Sequence, residues 1–252
     1  MKPNRDDLLR EMGLGPIWKL RVQQPAVAHA LQVEATASSV GTINPVVSDH
    51  RSAAPAPAIS DSSVDLPDWI SLEARVAACR QCRLCEARKQ AVFGVGDRQA
   101  DWLFIGEGPG AEEDARGEPF VGQAGQLLDH MLAAIDLQRG QDVYIANAVK
   151  CRPPENRTPD TEEINACQPY LSAQIALLQP KLIVVMGRPA AQAILGQAVK
   201  ISEMRGKLHQ YKEIPVIVTY HPAYLLRNLL DKAKAWEDLC FMRRTMRTLK
   251  AT

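Results

Sequence analysis

Apolar positions gather into four short continuous runs: Trp102–Gly106 (WLFIG), Val143–Ala148 (VYIANA), Leu182–Gly187 (LIVVMG) and Val216–Tyr220 (VIVTY). Runs of this length without polar alternation predict strands buried on both faces of a sheet. Between them the spacing turns helical. One stretch carries Leu127, Leu128, Met131, Leu132 and Ile135, and another Ile164, Tyr170, Leu171, Ile175 and Leu178. Thr158 followed by Pro159 predicts an N-cap and a first-turn proline for the second of these. A last helix, about Asp231 to Leu249, places Trp236, Leu239, Cys240, Met246 and Leu249 on one side, with Cys240 as a buried structural thiol. Strand and helix alternate, which predicts an α/β fold with a doubly wound, mostly parallel sheet.

The pattern is different at the N-terminus. Residues 1–21 hold a short amphipathic stretch, with Leu8, Leu9 and Met12, then Gly13, then Ile17, Trp18 and Leu20. Residues 22–66 are rich in Ala, Ser, Val and Pro and have no periodicity, which predicts a disordered linker. Such a coil of 45 residues would span roughly 35–40 Å root-mean-square. The folded domain is therefore expected over residues 67–252.

Charge narrows the function. Thirty Lys and Arg against 29 acids leave a formal net charge of +1, which excludes a polycation that coats nucleic acid by charge alone. Residues 227–252 are locally +4, and one helix face there is a candidate for phosphates or simply a solvated surface. The longest apolar run, Leu182 to Met186, is too short to span a bilayer, and the first residues lack a signal-peptide pattern. A cytoplasmic protein is expected, in which clustered thiols point to a metal or a reactive cysteine rather than a disulfide.

Ligands in open α/β sheets bind outside the carboxyl ends of the strands. Here those ends carry Gly106-Glu107-Gly108-Pro109-Gly110, Asn147, Gly187 and His221-Pro222. Each alone is weak, since a strand-end His is commonly a structural group and a loop Asn a turn residue. Together they form one polar rim. The glycine loop is not a dinucleotide cradle: Ala111 replaces the third glycine, and Glu112, Glu113 and Asp114 would repel a pyrophosphate. Cys79 and Cys82 form a CxxC, and Cys151 and Cys167 follow, with fifteen residues between them. A zinc ribbon needs a second close pair, so four thiolates around zinc or an iron–sulfur cluster both remain open, with Cys85 as a competing ligand.

The segments GEGPGAEEDARGEPFVGQAGQLLD (106–129), NAVKCRPPENRTP (147–159), MRG (204–206) and HPAYLLRN (221–228) together resemble the family 4 uracil-DNA glycosylases, the iron–sulfur type. The resemblance covers about residues 70–250 with every motif in family order. It implies a three-layer α/β/α domain around a central four-stranded parallel sheet. It also implies a 4Fe–4S cluster on Cys79, Cys82, Cys151 and Cys167, with a structural role. The uracil pocket implied by motif position comprises Gly106, Glu107, Gly108, Phe120, Asn147 and His221. Phe120 would stack on the flipped base, the Asn147 amide would read its O4 and N3–H edge, and His221 would donate towards O2. Glu107 is the expected carboxylate near the sugar, with Glu113 as the second candidate. DNA contacts are expected from Lys150, Arg152, Arg205 and Arg227 on phosphates, and from Leu225 or Leu226 as a wedge into the duplex. The expected activity is monofunctional removal of uracil from DNA, by a monomer. A related subgroup that crosslinks to DNA carries a basic insertion with a reactive His, which CRPPENRTP lacks.

Residues 5–21 loosely resemble the N-terminal peptide of the psi subunit of the bacterial clamp-loader assembly, which docks on the chi subunit. The resemblance implies replisome docking, and a helix folded back on its own domain is the competing expectation. Two other classes compete with the enzyme: a non-catalytic DNA-binding or replication-adapter protein on the same fold, and an iron–sulfur electron carrier. Glu107, Phe120, Asn147 and His221 argue against the first of these, and the irregular cysteine spacing against the second.

Overall fold

The computed structural model describes residues 68–197 and 200–251. The docking peptide expected at 1–21 and the linker expected at 22–66 lie outside the described residues. The chain runs α1 (Trp69–Ala77), α2 (Leu84–Ala87), β1 (Val95–Gly96), β2 (Trp102–Gly106), α3 (Ala111–Arg116), α4 (Gln123–Ala133) and β3 (Val143–Asn147). There follow α5 (Thr161–Leu178), β4 (Leu182–Met186), α6 (Arg188–Leu195), α7 (Ile201–Met204), β5 (Leu208–Tyr211), β6 (Ile214–Thr219), α8 (Pro222–Arg227) and α9 (Asp231–Ala251).

The sheet has six strands in the order β1-β3-β2-β4-β6-β5, which corrects the expectation of four. The four sequence-predicted strands form its parallel centre, and β1 and β5 add antiparallel edges to β3 and β6. Every residue of β2, β3 and β4 is buried, as continuous apolar runs require. Their side chains alternate between two cores. Leu103, Ile105, Tyr144, Ile183 and Val185 face α1, α5 and α6. Phe104, Ile145, Val184 and Met186 face α4, α8 and α9. From β2 the chain steps outward to β3 and then returns across β2 to β4, so the carboxyl ends of these strands open on a common crevice.

Two helix expectations change. α5 begins at Thr161 behind Asp160, two residues later than Pro159 suggested, and Glu163 accepts the Asp160 N–H at 2.8 Å. α9 buries Ala235, Asp238, Leu239, Met242 and Met246. Trp236 is 48% exposed and Cys240 only partly buried, because the small Ala235 and the ion-paired Asp238 set the phase of the helix. Among the described residues, no helix is long and apolar enough to cross a membrane.

Candidate active site

The carboxyl ends of β2, β3, β4 and β6 border a cleft of about 1050 Å³. Gly106 and Asn147 are paired across the β2–β3 ladder, which continues past the strand ends: Ala148 N–H donates to the Gly106 carbonyl at 2.9 Å and Val149 N–H to the Glu107 carbonyl at 3.2 Å. A β-carbon on Gly106 would lie 2.5 Å from both Asn147 Oδ1 and Phe120 Cζ, so only glycine lets these side chains meet over the strand end. Asn147 is 2% exposed, and its Oδ1 has no hydrogen-bond partner. Buried acceptors are rarely left so, and one at the wall of a cleft marks where a donor belongs.

Phe120 stands in the left-handed region at φ 57°. Arg139 holds it there, donating to the carbonyls of Pro119 at 2.9 Å and Phe120 at 2.8 Å. Gly125 in α4 packs against the Phe120 carbonyl, where any β-carbon would collide. The Phe120 ring stacks on His221, with centroids 5.4 Å apart. His221 caps α8, and its Nδ1 accepts the Ala223 N–H at 3.2 Å. An acceptor Nδ1 in a neutral imidazole leaves the proton on Nε2. Burial, reinforced by Arg227 and opposed by Glu113, pushes the His221 ring down to about 4, so it is neutral at physiological pH.

Glu107 lines the cleft, and burial pushes its carboxyl up against the Thr158 hydrogen bond and the Arg227 charge. Glu113 is different. It accepts N–H groups from Gly110 at 3.1 Å, Val121 at 3.0 Å and Gly122 at 3.2 Å, so both its oxygens are occupied in holding the loop that carries Phe120.

The expected DNA-contact residues divide. Arg227 lies exposed at the cleft, and Arg152 is half-buried with Nε on Asn156. Lys150 is corrected: it is 1% exposed, with Nζ bonded to the Asn147 carbonyl and Gln174, and presents no charge to a phosphate. Arg205 is corrected as well, being spent on Asp238, Glu237 and the Lys234 carbonyl beneath Tyr220. Leu225 is buried in the core, whereas Leu226 is exposed. Sequence reasoning missed Arg188, exposed on the cleft without an ion pair among the described residues, and Leu230, 93% exposed just before α9.

The cysteines converge elsewhere. Cys79 and Cys82 follow α1, Cys85 lies in α2, Cys151 in the loop after β3 and Cys167 in α5, all around one small void of about 10 Å³. Arg88 ties the rim together, with Nη1 2.8 Å from Cys151 Sγ and Nη2 on the carbonyls of Ala77 and Cys79. Burial pushes the Cys151 thiol up to about 11, against the pull of Arg88. Among the described residues, no three His, Cys, Asp or Glu side chains close on a single ion.

This fold and cleft have a known kin. Residues 93–240 match the family model of the uracil DNA glycosylase superfamily, and the chain belongs to that superfamily. Its near relatives are more particular. It is 41% identical over 180 residues to the type-4 uracil-DNA glycosylase of Pyrobaculum aerophilum, covering 68% of this chain and 91% of that protein. It is 45% identical over 159 residues to the type-4 uracil-DNA glycosylase of Archaeoglobus fulgidus, covering 60% and 79%. To that of Thermotoga maritima it is 46% identical over 156 residues, covering 61% and 81%.

Proposed function

We propose that this chain is a type-4 uracil-DNA glycosylase, hydrolysing the N-glycosidic bond of a flipped-out deoxyuridine to leave an abasic site. The observation that carries it is the buried, unpartnered Asn147 Oδ1 beside the Phe120 and His221 rings. Uracil fits this wall. Its N3–H donates to Oδ1, the Asn147 amide donates to O4, and the ring stacks on Phe120. Cytosine reverses both polar atoms and would leave buried groups unpaired, which is the strongest way to reject an analogue. The Nε2–H of neutral His221 donates to O2 as negative charge grows there in the transition state, a contact worth about 3 kcal/mol. Glu107 faces the sugar and orients water or stabilises the cationic centre. Glu113 acts through the loop and touches no substrate. Arg227, Arg152 and Arg188 hold phosphates, and Leu226 fills the gap left by the base.

Cys79, Cys82, Cys151 and Cys167 hold a 4Fe–4S cluster. The cluster's contribution is to cross-link α1, the loop after β3 and α5, since hydrolysis transfers no electrons. The test is to incubate iron-loaded protein with an oligonucleotide bearing one uracil and treat with alkali. Strand cleavage at the uracil alone is expected, lost in Asn147→Ala. Intact iron content without cleavage overturns the reading.

A further inference from the structure

Lys150 crosses the core between the cysteine site and the back of the cleft. Its Nζ donates to the Asn147 carbonyl at 2.9 Å and to Gln174 Oε1 at 2.6 Å, and its backbone N–H points at Cys167 Sγ at 3.2 Å. Its own carbonyl accepts the Val92 N–H at 2.8 Å, and Cys151 is the next residue. Gln174 is fully buried and is itself anchored, with Nε2 donating to the Phe93 carbonyl at 2.9 Å. The Lys150 Nζ therefore sits between two buried acceptors, one of them itself anchored.

Two features of that arrangement are unusual. A buried ammonium is normally matched by a carboxylate, because an unpaired charge in the interior is expensive. Lys150 has no carboxylate partner among the described residues, and both acceptors of its Nζ are neutral oxygens. The second feature is the acceptor. The carbonyl it grips belongs to Asn147, whose side chain lines the cleft. Gripping that carbonyl fixes the peptide plane after Asn147, and with it the direction in which the Asn147 amide is presented. The β2 ladder restrains the same residue from the other side.

We propose that Lys150 is a positioning residue which links the two sites: its backbone N–H meets Cys167 Sγ on one side, and its side chain sets the aim of the Asn147 amide on the other. The inference rests on the glycosylase reading above. It makes uracil recognition depend on a residue that touches neither base nor DNA.

The test uses the iron-loaded full chain and three readouts: iron content with visible absorbance, inhibition of excision by free uracil, and affinity for abasic-product DNA. Lys150→Met, nearly equal in length, removes the charge and both donors. The expected result is retained iron and retained product affinity, with the inhibition constant of free uracil raised about tenfold or more, as the loss of a charged hydrogen bond predicts. Gln174→Met frees one side of the ammonium and is expected to weaken uracil inhibition by a smaller factor. It decides the matter if Lys150→Met does not fold. Unchanged uracil inhibition with iron retained overturns the proposal. So does a loss of activity that only follows the loss of iron, since Lys150 would then serve the cluster alone. A wild-type protein that neither excises uracil nor binds the free base overturns the glycosylase reading and this inference with it. An active wild type matched by Lys150→Met overturns this inference alone.

Discussion

Gly106→Ala is the sharpest perturbation the site offers, because it adds one methyl group and removes no functional atom. The backbone at Gly106 is ordinary extended strand, so alanine brings no conformational strain of its own. The whole effect is steric. The new β-carbon would lie 2.5 Å from both Asn147 Oδ1 and Phe120 Cζ, where ordinary contact begins at 3.4 Å. One or both side chains must retreat by about 0.9 Å. Displacing reacting groups by about 1 Å costs on the order of 10²-fold in rate, while overpacking a buried site costs about 1–3 kcal/mol of stability. For a domain of this size each kcal/mol lowers Tm by about 2–4 °C. Single-turnover excision with enzyme in excess reads the first effect, and thermal unfolding the second. A variant that excises uracil at the wild-type rate would show that Asn147 and Phe120 are not held against the strand end, and the pocket geometry argued here would be wrong.

Further outcomes follow from the same geometry. Glu107→Gln is expected to slow excision by about 10²-fold or more without lowering Tm, since burial already raises this carboxyl and its charge is a cost at neutral pH. Glu113→Gln is expected to lower Tm by orphaning amides of the Phe120 loop, and a pure rate effect without destabilisation would restore Glu113 as a reacting group. The rate should be flat through pH 6.5, where an ordinary histidine titrates, and fall only towards pH 4 as His221 gains a proton. The stability gained by keeping His221 neutral is complete above pH 6.5 and is lost as pH falls to about 4, because the unfolded chain binds the extra proton in that window. A rate that falls as pH rises through about 6.5 would place a charged imidazole in the mechanism. Finally, Cys151→Ser should lose the iron absorbance while Cys85→Ser keeps it, and the reverse would exchange the ligand set.

The parallel centre of the sheet was legible because its strands are buried on both faces and so must be apolar throughout. The edges were not. β1 is two residues long and exists only through pairing with β3, and β5 (LHQY) is half-exposed and polar. Glu107, Asn147 and His221 were readable from their place at strand ends, and the structure gathers them on one cleft, with Gly106 packed against Asn147 and Phe120. Charge misled at Lys150 and Arg205, since a cation's letter says nothing about burial. The signal for Lys150 was its position three residues after Asn147 and beside Cys151. Leu225 and Leu226 could not be separated without the helix phase, as adjacent residues point to different sides. Glu113 carried a readable signal, a carboxylate three residues into a helix behind Gly110, where it serves as a cap.

The clamp of Glu113 and Arg139 around the Phe120 loop has a kinetic consequence. A pocket whose shape is set by its own amides and carbonyls has little left to rearrange when DNA arrives. It waits for a base to leave the helix rather than moulding itself around one that has not. The slow gate then lies in the DNA, in how often each pair breathes, and a uracil opposite guanine should be captured faster than one opposite adenine because its mispair opens more readily.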